Sequence, residues 1–220
     1  MPASRAPVRI EQPADPADVR AVGYGPDDVP LVPEKYAGLP VHKEQSGRVD
    51  QWNDRLMEPE PSTVYIVDDR YVFVTDKRGR VVHAEGWLGW RPGKEENESH
   101  RNPDAQLEAG EPDRQAFDDG GHLFGAMFGG PGELTNLTAQ SREQNRAVKG
   151  SNNWRRMEDV WRAKRAAGIP VHAAIDVHHE NQQTRRPSSR SVTDHSGGQR
   201  SPRRIFRETK PQPSRGYERP

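Results

Sequence analysis

Hydrophobic positions along this chain follow two spacings, and the change between them divides it. From Val64 to Ala84, β-branched and aromatic residues come in short runs: Val64 and Ile66, Tyr71 to Val74, then Val81, Val82 and Ala84. Asp68-Asp69 and Asp76-Lys77-Arg78-Gly79-Arg80 separate the runs, a pattern that predicts a three-stranded antiparallel meander with tight turns. Later the apolar residues Trp154, Met157, Val160 and Trp161 fall three and four apart, the period of an amphipathic helix. Ser151 is the expected N-cap, and Gly168 with Pro170 the expected stop. Beyond it Val171, Ala173, Ile175 and Val177 alternate with His172, Ala174, Asp176 and His178, which predicts a half-buried strand.

Between meander and helix, Phe117 to Phe128 reads as a strand running into Gly129-Gly130-Pro131-Gly132, and Asn136 to Gln140 as a second, short strand. Glu95 to Ala116 is polar and contains Pro103, Gly110 and Pro112, so a long surface loop is expected there. The flanks read differently. Ten prolines occur by Pro61, too densely for helices or central strands to persist. Residues 1–61 are therefore expected to be a mostly disordered acidic linker, with a short helix near Gly47 to Met57 carrying Val49, Trp52 and Leu56. Past His195, Arg, Pro, Ser and Gly replace the apolar residues, and residues 196–220 are expected to be a disordered basic tail. The fold class is α+β: an antiparallel sheet and a strand-loop-strand-helix unit in one domain over 62–195, between long tails.

Composition supports one compact domain with loose ends. Hydrophobic residues make up 31% of 220, charged residues 30%, and mean hydropathy is −1.07, a mixture that leaves part of the chain unable to offset its ordering entropy. Net charge is +0, without the overall basic excess common in nucleic-acid binders. The average hides a gradient. Ser141 to Pro170 holds eight basic residues against three acidic ones, a balance of +5, and the first sixty residues hold seven against eleven, a balance of −4. A local basic face suffices to attract a phosphate backbone. With no cysteine, disulfides, thiolate metal sites and thiol nucleophiles are excluded. There is no apolar run long enough for a membrane span and no signal-like N-terminus, so no membrane partner is expected. Export by a leaderless route, or otherwise a cytoplasmic location, is.

Chemistry concentrates between residues 118 and 158. Asp118-Asp119-Gly120-Gly121-His122-Leu123 is followed by Asn136-Leu137-Thr138, Gln144-Asn145-Arg146 and Trp154-Arg155-Arg156-Met157-Glu158. One imidazole, one carboxamide and one carboxylate follow in that order. An imidazole titrates near working pH and suits a general base. A hard divalent cation takes oxygen ligands and keeps waters, so one amide oxygen can be an adequate protein contribution. The order resembles the DNA/RNA non-specific endonucleases of the ββα-metal (His-Me finger) superfamily, in the toxin-associated branch where D-x-G-G-H-L replaces D-R-G-H.

That resemblance implies a ββα-metal finger. It assigns His122 as general base, Asn145 as ligand to Mg²⁺ with Mn²⁺ able to substitute, and Glu158 as support for the metal's water shell. It makes Arg101, in His100-Arg101-Asn102, a stabiliser of transition-state charge. Arg146, Arg155 and Asn136 are the candidates for the substrate side, with bridging of backbone groups beside the site as the other reading of Asn136. The chain departs from the family pattern twice. Gly120 stands where the better-known branch has arginine. Asn145 and Trp154 are nine apart where about four are expected, which makes Asn152 and Asn153 alternative ligands. The His172, His178, Glu180 set could suggest zinc, but strand alternation puts His178 and His179 on opposite faces.

The function these residues imply is metal-dependent, non-specific endonucleolytic hydrolysis of DNA or RNA, and nothing in the sequence reads bases. A Pro-rich acidic segment before a C-terminal nuclease resembles secreted bacterial toxin payloads, for which a cognate immunity protein is the expected partner. The alternative is a catalytically weakened nucleic-acid-binding relative of the same fold.

Overall fold

The structure is a computed structural model that describes residues 32–93, 98–148 and 152–208. Its main sheet runs β1 (Val41–Glu44), β2 (Val64–Val67), β3 (Tyr71–Thr75), β4 (Val81–Trp87), β7 (His172–His179), β8 (Pro187–Ser196) and β10 (Arg204–Arg207), with β9 (Gln199–Arg200) paired to β8. The expected meander is β2-β3-β4, with Val64 opposite Val74 and Phe73 opposite Ala84. Asp68 and Asp69 take positive φ in its first turn, a conformation aspartate tolerates better than most residues. All pairs are antiparallel except β1 with β2, which is parallel.

β4 and β7 are neighbours in the sheet although 84 residues separate Trp87 from His172 at their paired ends. The chain between them forms the finger. It comprises α2 (Pro103–Glu108), the separate ribbon of β5 (Asp118–His122) and β6 (Leu137–Ser141), α3 (Arg142–Asn145) and α4 (Trp154–Ala166). Trp154, Met157 and Trp161 of α4 pack in one core with Phe124, Phe128, Tyr71, Phe73, Ile175 and Val192. Ala173, Ile175 and Val177 are the buried half of β7, as the alternation predicts.

Four differences from the sequence reading have physical causes. First, residues 32–61 fold. β1 extends the sheet, α1 (Asp54–Met57) is capped by Asn53 and buries Leu56, and Val32, Tyr36 and Leu39 cover Val64, Ile66, Val72 and Val74 on the sheet face away from the finger. Both faces of β2 and β3 are covered, which is why these strands read as unbroken apolar runs.

Second, the sheet continues past His195. β10 pairs with β8, Phe206 is buried against Trp154, and Glu208 reaches Arg190, itself fully buried over the Trp154 ring. Third, the expected loop 95–116 contains α2, with Asn102 as N-cap and Pro103 in its first turn, a standard start signal. Fourth, α4 is capped by Asn153, whose side chain accepts from Arg156 N. The expected cap Ser151 lies outside the described residues, as do residues 1–31 and 209–220 of the expected tails. Among the described residues, no helix is long and apolar enough to cross a membrane.

Candidate active site

A cleft of about 200 Å³ opens within the finger, between β5 and α4, lined by Arg101, His122, Asn145, Arg155 and Glu158 together with Gln106 and Gly120. His122 ends β5, Glu158 lies one turn into α4, Asn145 ends α3 and Arg101 precedes α2. Four elements therefore meet at the cleft. Close packing against two glycines brings them together. A Cβ on Gly120 would come within 2.2 Å of the Gln106 carbonyl oxygen, so α2 can lie on β5 only because this position has no side chain. That approach carries Arg101 to the cleft. The arginine of the better-known branch cannot stand at 120 in this packing, and Arg101 is the cation that acts on both His122 and Glu158 electrostatically. A Cβ on Gly125 would come within 2.9 Å of Glu158 Oε1, so the 125–128 turn leaves room for the carboxylate.

The titratable pair is shifted in opposite directions by a common cause. Burial pushes the His122 imidazole down to about 4, and the Arg101 charge adds to the shift. Burial pushes the Glu158 carboxyl up to about 7; Arg155 and Arg101 oppose the rise and Asp159 adds to it. His122 is thus neutral near pH 7, with Nε2 buried and without a hydrogen-bond partner among the described residues. The Glu158 carboxyl is held on the edge of ionisation, as a carboxylate in want of a positive partner would be.

Asn145 Nδ2 donates to Asp119 Oδ2 at 3.1 Å, which leaves Oδ1 without a partner among the described residues. A neutral imidazole, a free amide oxygen and an uncompensated carboxyl are a donor set that fits a hydrated hard cation. Among the described residues, no three His, Asp or Glu side chains gather into a metal-holding group.

The five extra residues between Asn145 and Trp154 do not separate the motif's halves. Asn153 Nδ2 donates to the carbonyls of Glu143 (2.6 Å) and Arg146 (2.7 Å), while its Oδ1 caps α4. The side chain is spent on clasping the loop ends together, so Asn153 is corrected from alternative ligand to clamp. Asn152 is exposed and does not line the cleft.

Two substrate-side expectations change. Asn136 is fully buried: Oδ1 accepts from Phe124 N (2.9 Å), and Nδ2 donates to Phe124 O and Pro131 O (both 2.8 Å). It staples the Gly129 to Gly132 loop and cannot touch a substrate. Arg146 pairs bidentately with Asp119 at 2.8 Å on both arms and lines a neighbouring cleft rather than that of His122. Arg155 does line the His122 cleft, and also reaches Asp159 at 3.3 Å.

The sequence reading missed Gln106 and the role of Asp119. The Asn102-Pro103 start signal could have revealed the helix that carries Gln106. Asp119 is held below the usual carboxylate range because hydrogen bonds from Arg146 and Asn145 outweigh the opposing effect of burial. Asp118, its neighbour, is turned the other way and paired bidentately with Arg186 at 2.7 and 2.9 Å.

Comparison with known proteins agrees with this architecture. The chain is 32% identical over 145 residues to the type VII secretion system protein EssD of Staphylococcus aureus strains USA300 and NCTC 8325. The match takes in 64% of this chain and 22% of that protein, so the chain spans about a fifth of the length of these relatives. In structure it is similar to NucA from Streptococcus agalactiae with magnesium ion bound, at TM-score 0.51 and 15% identity, over 64% of this chain and 72% of that one. The family model for DNA/RNA non-specific endonucleases matches residues 61–198, and the chain belongs to that family.

Proposed function

We propose that this chain is a divalent-metal-dependent endonuclease that hydrolyses phosphodiester bonds of DNA or RNA without reading sequence. The observation that carries the reading is the convergence of His122, Asn145, Glu158 and Arg101 on one cleft. His122, neutral at pH 7, takes a proton from the attacking water. The new P–O bond forms in line, the bond to the 3′-oxygen breaks, and that oxygen leaves with a proton from solvent, giving a 5′-phosphate end. Arg101 stabilises charge gained by the non-bridging oxygens, and Arg155 holds the phosphate from the helix side.

Asn145 Oδ1 would hold the cation, and the Glu158 carboxylate would accept hydrogen bonds from its waters. When bound, Mg²⁺, or Mn²⁺ in its place, supplies charge stabilisation at the phosphorane and the leaving oxygen. The magnesium ion bound by NucA supports this choice, as does the unpartnered Asn145 oxygen.

The secretion-system relative supports a further part of the reading, that the chain is an exported effector domain, restrained in the producing cell by a cognate inhibitor protein. Supercoiled plasmid incubated with the protein and Mg²⁺, with EDTA and His122→Ala as controls, tests the chemistry. Nicking abolished by both controls is expected. Nicking indifferent to either overturns the histidine-metal mechanism, and no nicking by metal-loaded protein favours a weakened, binding-only relative.

A further inference from the structure

Beside the cleft of His122 lies a second one of about 510 Å³, and the two share Gln106, Gly120 and Asn145 as a common wall. Arg114, Arg142 and Arg146 line the second cleft. Asp118 there is neutralised by Arg186, and Asp119 is shared by Arg146 and Arg142. Two arginines on one carboxylate, with Arg114 donating only to backbone carbonyls, leave the surface a positive excess suited to a phosphate chain.

At its edge stands Phe117, 74% exposed and the most exposed of the large hydrophobic side chains among the described residues. A lone exposed apolar residue is ordinary, but this one has its backbone anchored and a guanidinium beside its ring. Arg142 N donates to Phe117 O at 3.2 Å, and the Arg142 guanidinium sits 5.8 Å from the ring centroid. The backbone bond fixes Phe117 where the chain enters β5, five residues from His122. Leu107, 67% exposed, supplies further apolar surface in the same cleft.

Resting on the endonuclease reading, we propose that Phe117 and Arg142 form a base-stacking platform, and that the second cleft takes the single-stranded continuation of the substrate beyond the scissile phosphate. An aromatic face beside a guanidinium accepts any base on its π-face while the arginine follows the backbone. In a duplex the base faces are occupied by stacking within the helix, so the platform favours unpaired nucleotides over double-stranded ones. It is sequence-tolerant, because every base has a face to offer.

The test uses the full chain and fluorescence anisotropy in EDTA, so that binding is read without cleavage. The ligands are a labelled oligothymidylate and an abasic deoxyribose-phosphate strand of equal length, against wild type, Phe117→Ala and Phe117→Trp. Phe117→Ala is expected to bind oligothymidylate about tenfold more weakly, with Phe117→Trp at least as tight as wild type and all three alike on the abasic strand. Equal oligothymidylate binding by wild type and Phe117→Ala overturns the proposal. So does an equal loss on the abasic strand, or no binding by wild type. A wild type that binds with this pattern but never cuts with Mg²⁺ overturns the catalytic reading alone. One that cuts while Phe117→Ala binds normally overturns the platform alone.

Discussion

Asp119 turns the Asn145 carboxamide: Nδ2 donates to its Oδ2 at 3.1 Å, and the carboxylate is itself pinned by Arg146 at 2.8 Å and Arg142 at 3.4 Å. A carboxylate held by two guanidinium groups cannot swing, so the amide oxygen is presented in one orientation. Partners that orient a ligand without touching the metal typically change affinity or activity by about 10- to 100-fold. Asp119→Ala is expected to raise the Mg²⁺ concentration for half-maximal cleavage by about that factor, with little change in melting temperature because Asp119 is at the surface end of the network. A magnesium titration of plasmid nicking checks this. An unchanged midpoint would detach Asn145 from the metal.

The opposed shifts of Glu158 and His122 make opposite contributions to stability as pH changes. Glu158 keeps its proton in the folded chain up to about pH 7, against 4.5 for the ordinary carboxyl. The folded state therefore binds more protons than the unfolded one in that window, and this contribution is lost as pH rises. His122 releases its proton near 4 against 6.5, so its contribution is lost as pH falls through that window. Glu158→Gln should match the wild type in melting temperature near pH 4.5 in EDTA and exceed it near pH 8. Mg²⁺ should raise the wild type near pH 8 by clearly more than the variant, which keeps Asn145 but lacks the carboxylate charge. Scanning calorimetry at the two pH values decides it, and an equal metal response in both proteins would remove Glu158 from the cation's surroundings.

His122→Ala separates catalysis from folding. A general base contributes about two to four decades of rate, and the buried imidazole Nε2 makes no hydrogen bond among the described residues whose loss would strand a partner. The variant should lose that much activity at an unchanged denaturation midpoint.

Asn136→Ala has the reverse signature. Its three buried hydrogen bonds close the loop over Phe124 and Pro131, and each buried backbone group left unsatisfied costs about 1–3 kcal/mol. Urea unfolding should show a loss of at least that size for the variant. A stable Asn136→Ala protein with weakened nucleic-acid binding would restore the substrate-side role that its burial denies.

The parts legible in the sequence were those where pattern and local chemistry agree. The meander, the helical spacing of Trp154, Met157 and Trp161, and the alternation of β7 all carry their own period. His122, Glu158, Arg101, Arg155 and Asn145 do meet at one cleft, because their motif is tied to the ββα order. What escaped depended on partners distant in sequence. β10 has only Ile205 and Phe206 as apolar residues and becomes a strand by pairing with β8. The proline-rich stretch before Ser62 reads as linker until β2 and β3 are seen to need cover on a second face. Asn136, a candidate for substrate or for backbone bridging, and Asn153, an alternative ligand, turn out to be staples, since an amide's choice between metal, substrate and backbone is made by what packs around it.

The Arg190–Glu208 pair shows that the domain reaches at least as far as Glu208. Arg190 is fully buried over Trp154, donates to Thr138 Oγ1 at 2.9 Å, and is neutralised by Glu208. The second Glu208 oxygen accepts from Ser141 N at 2.7 Å, where β6 passes into α3. One carboxylate beyond the family match thus ties β8 to the finger that carries His122 and Asn145. Removing it strands a buried guanidinium, at a cost of about 3–5 kcal/mol. A chain stopped after Gly198 loses Glu208 and also Phe206 from beside Trp154, and should fail to fold cooperatively. A chain begun at Ser62 uncovers Val64, Ile66, Val72 and Val74 and should be destabilised from the opposite face. A chain of residues 32–208 retains both. Thermal unfolding of the three, beside Glu208→Ala in the full chain, checks the boundaries. Chains stopped after Gly198 and begun at Ser62 that each unfold cooperatively and as stably as 32–208 would return the flanks to the status of linkers.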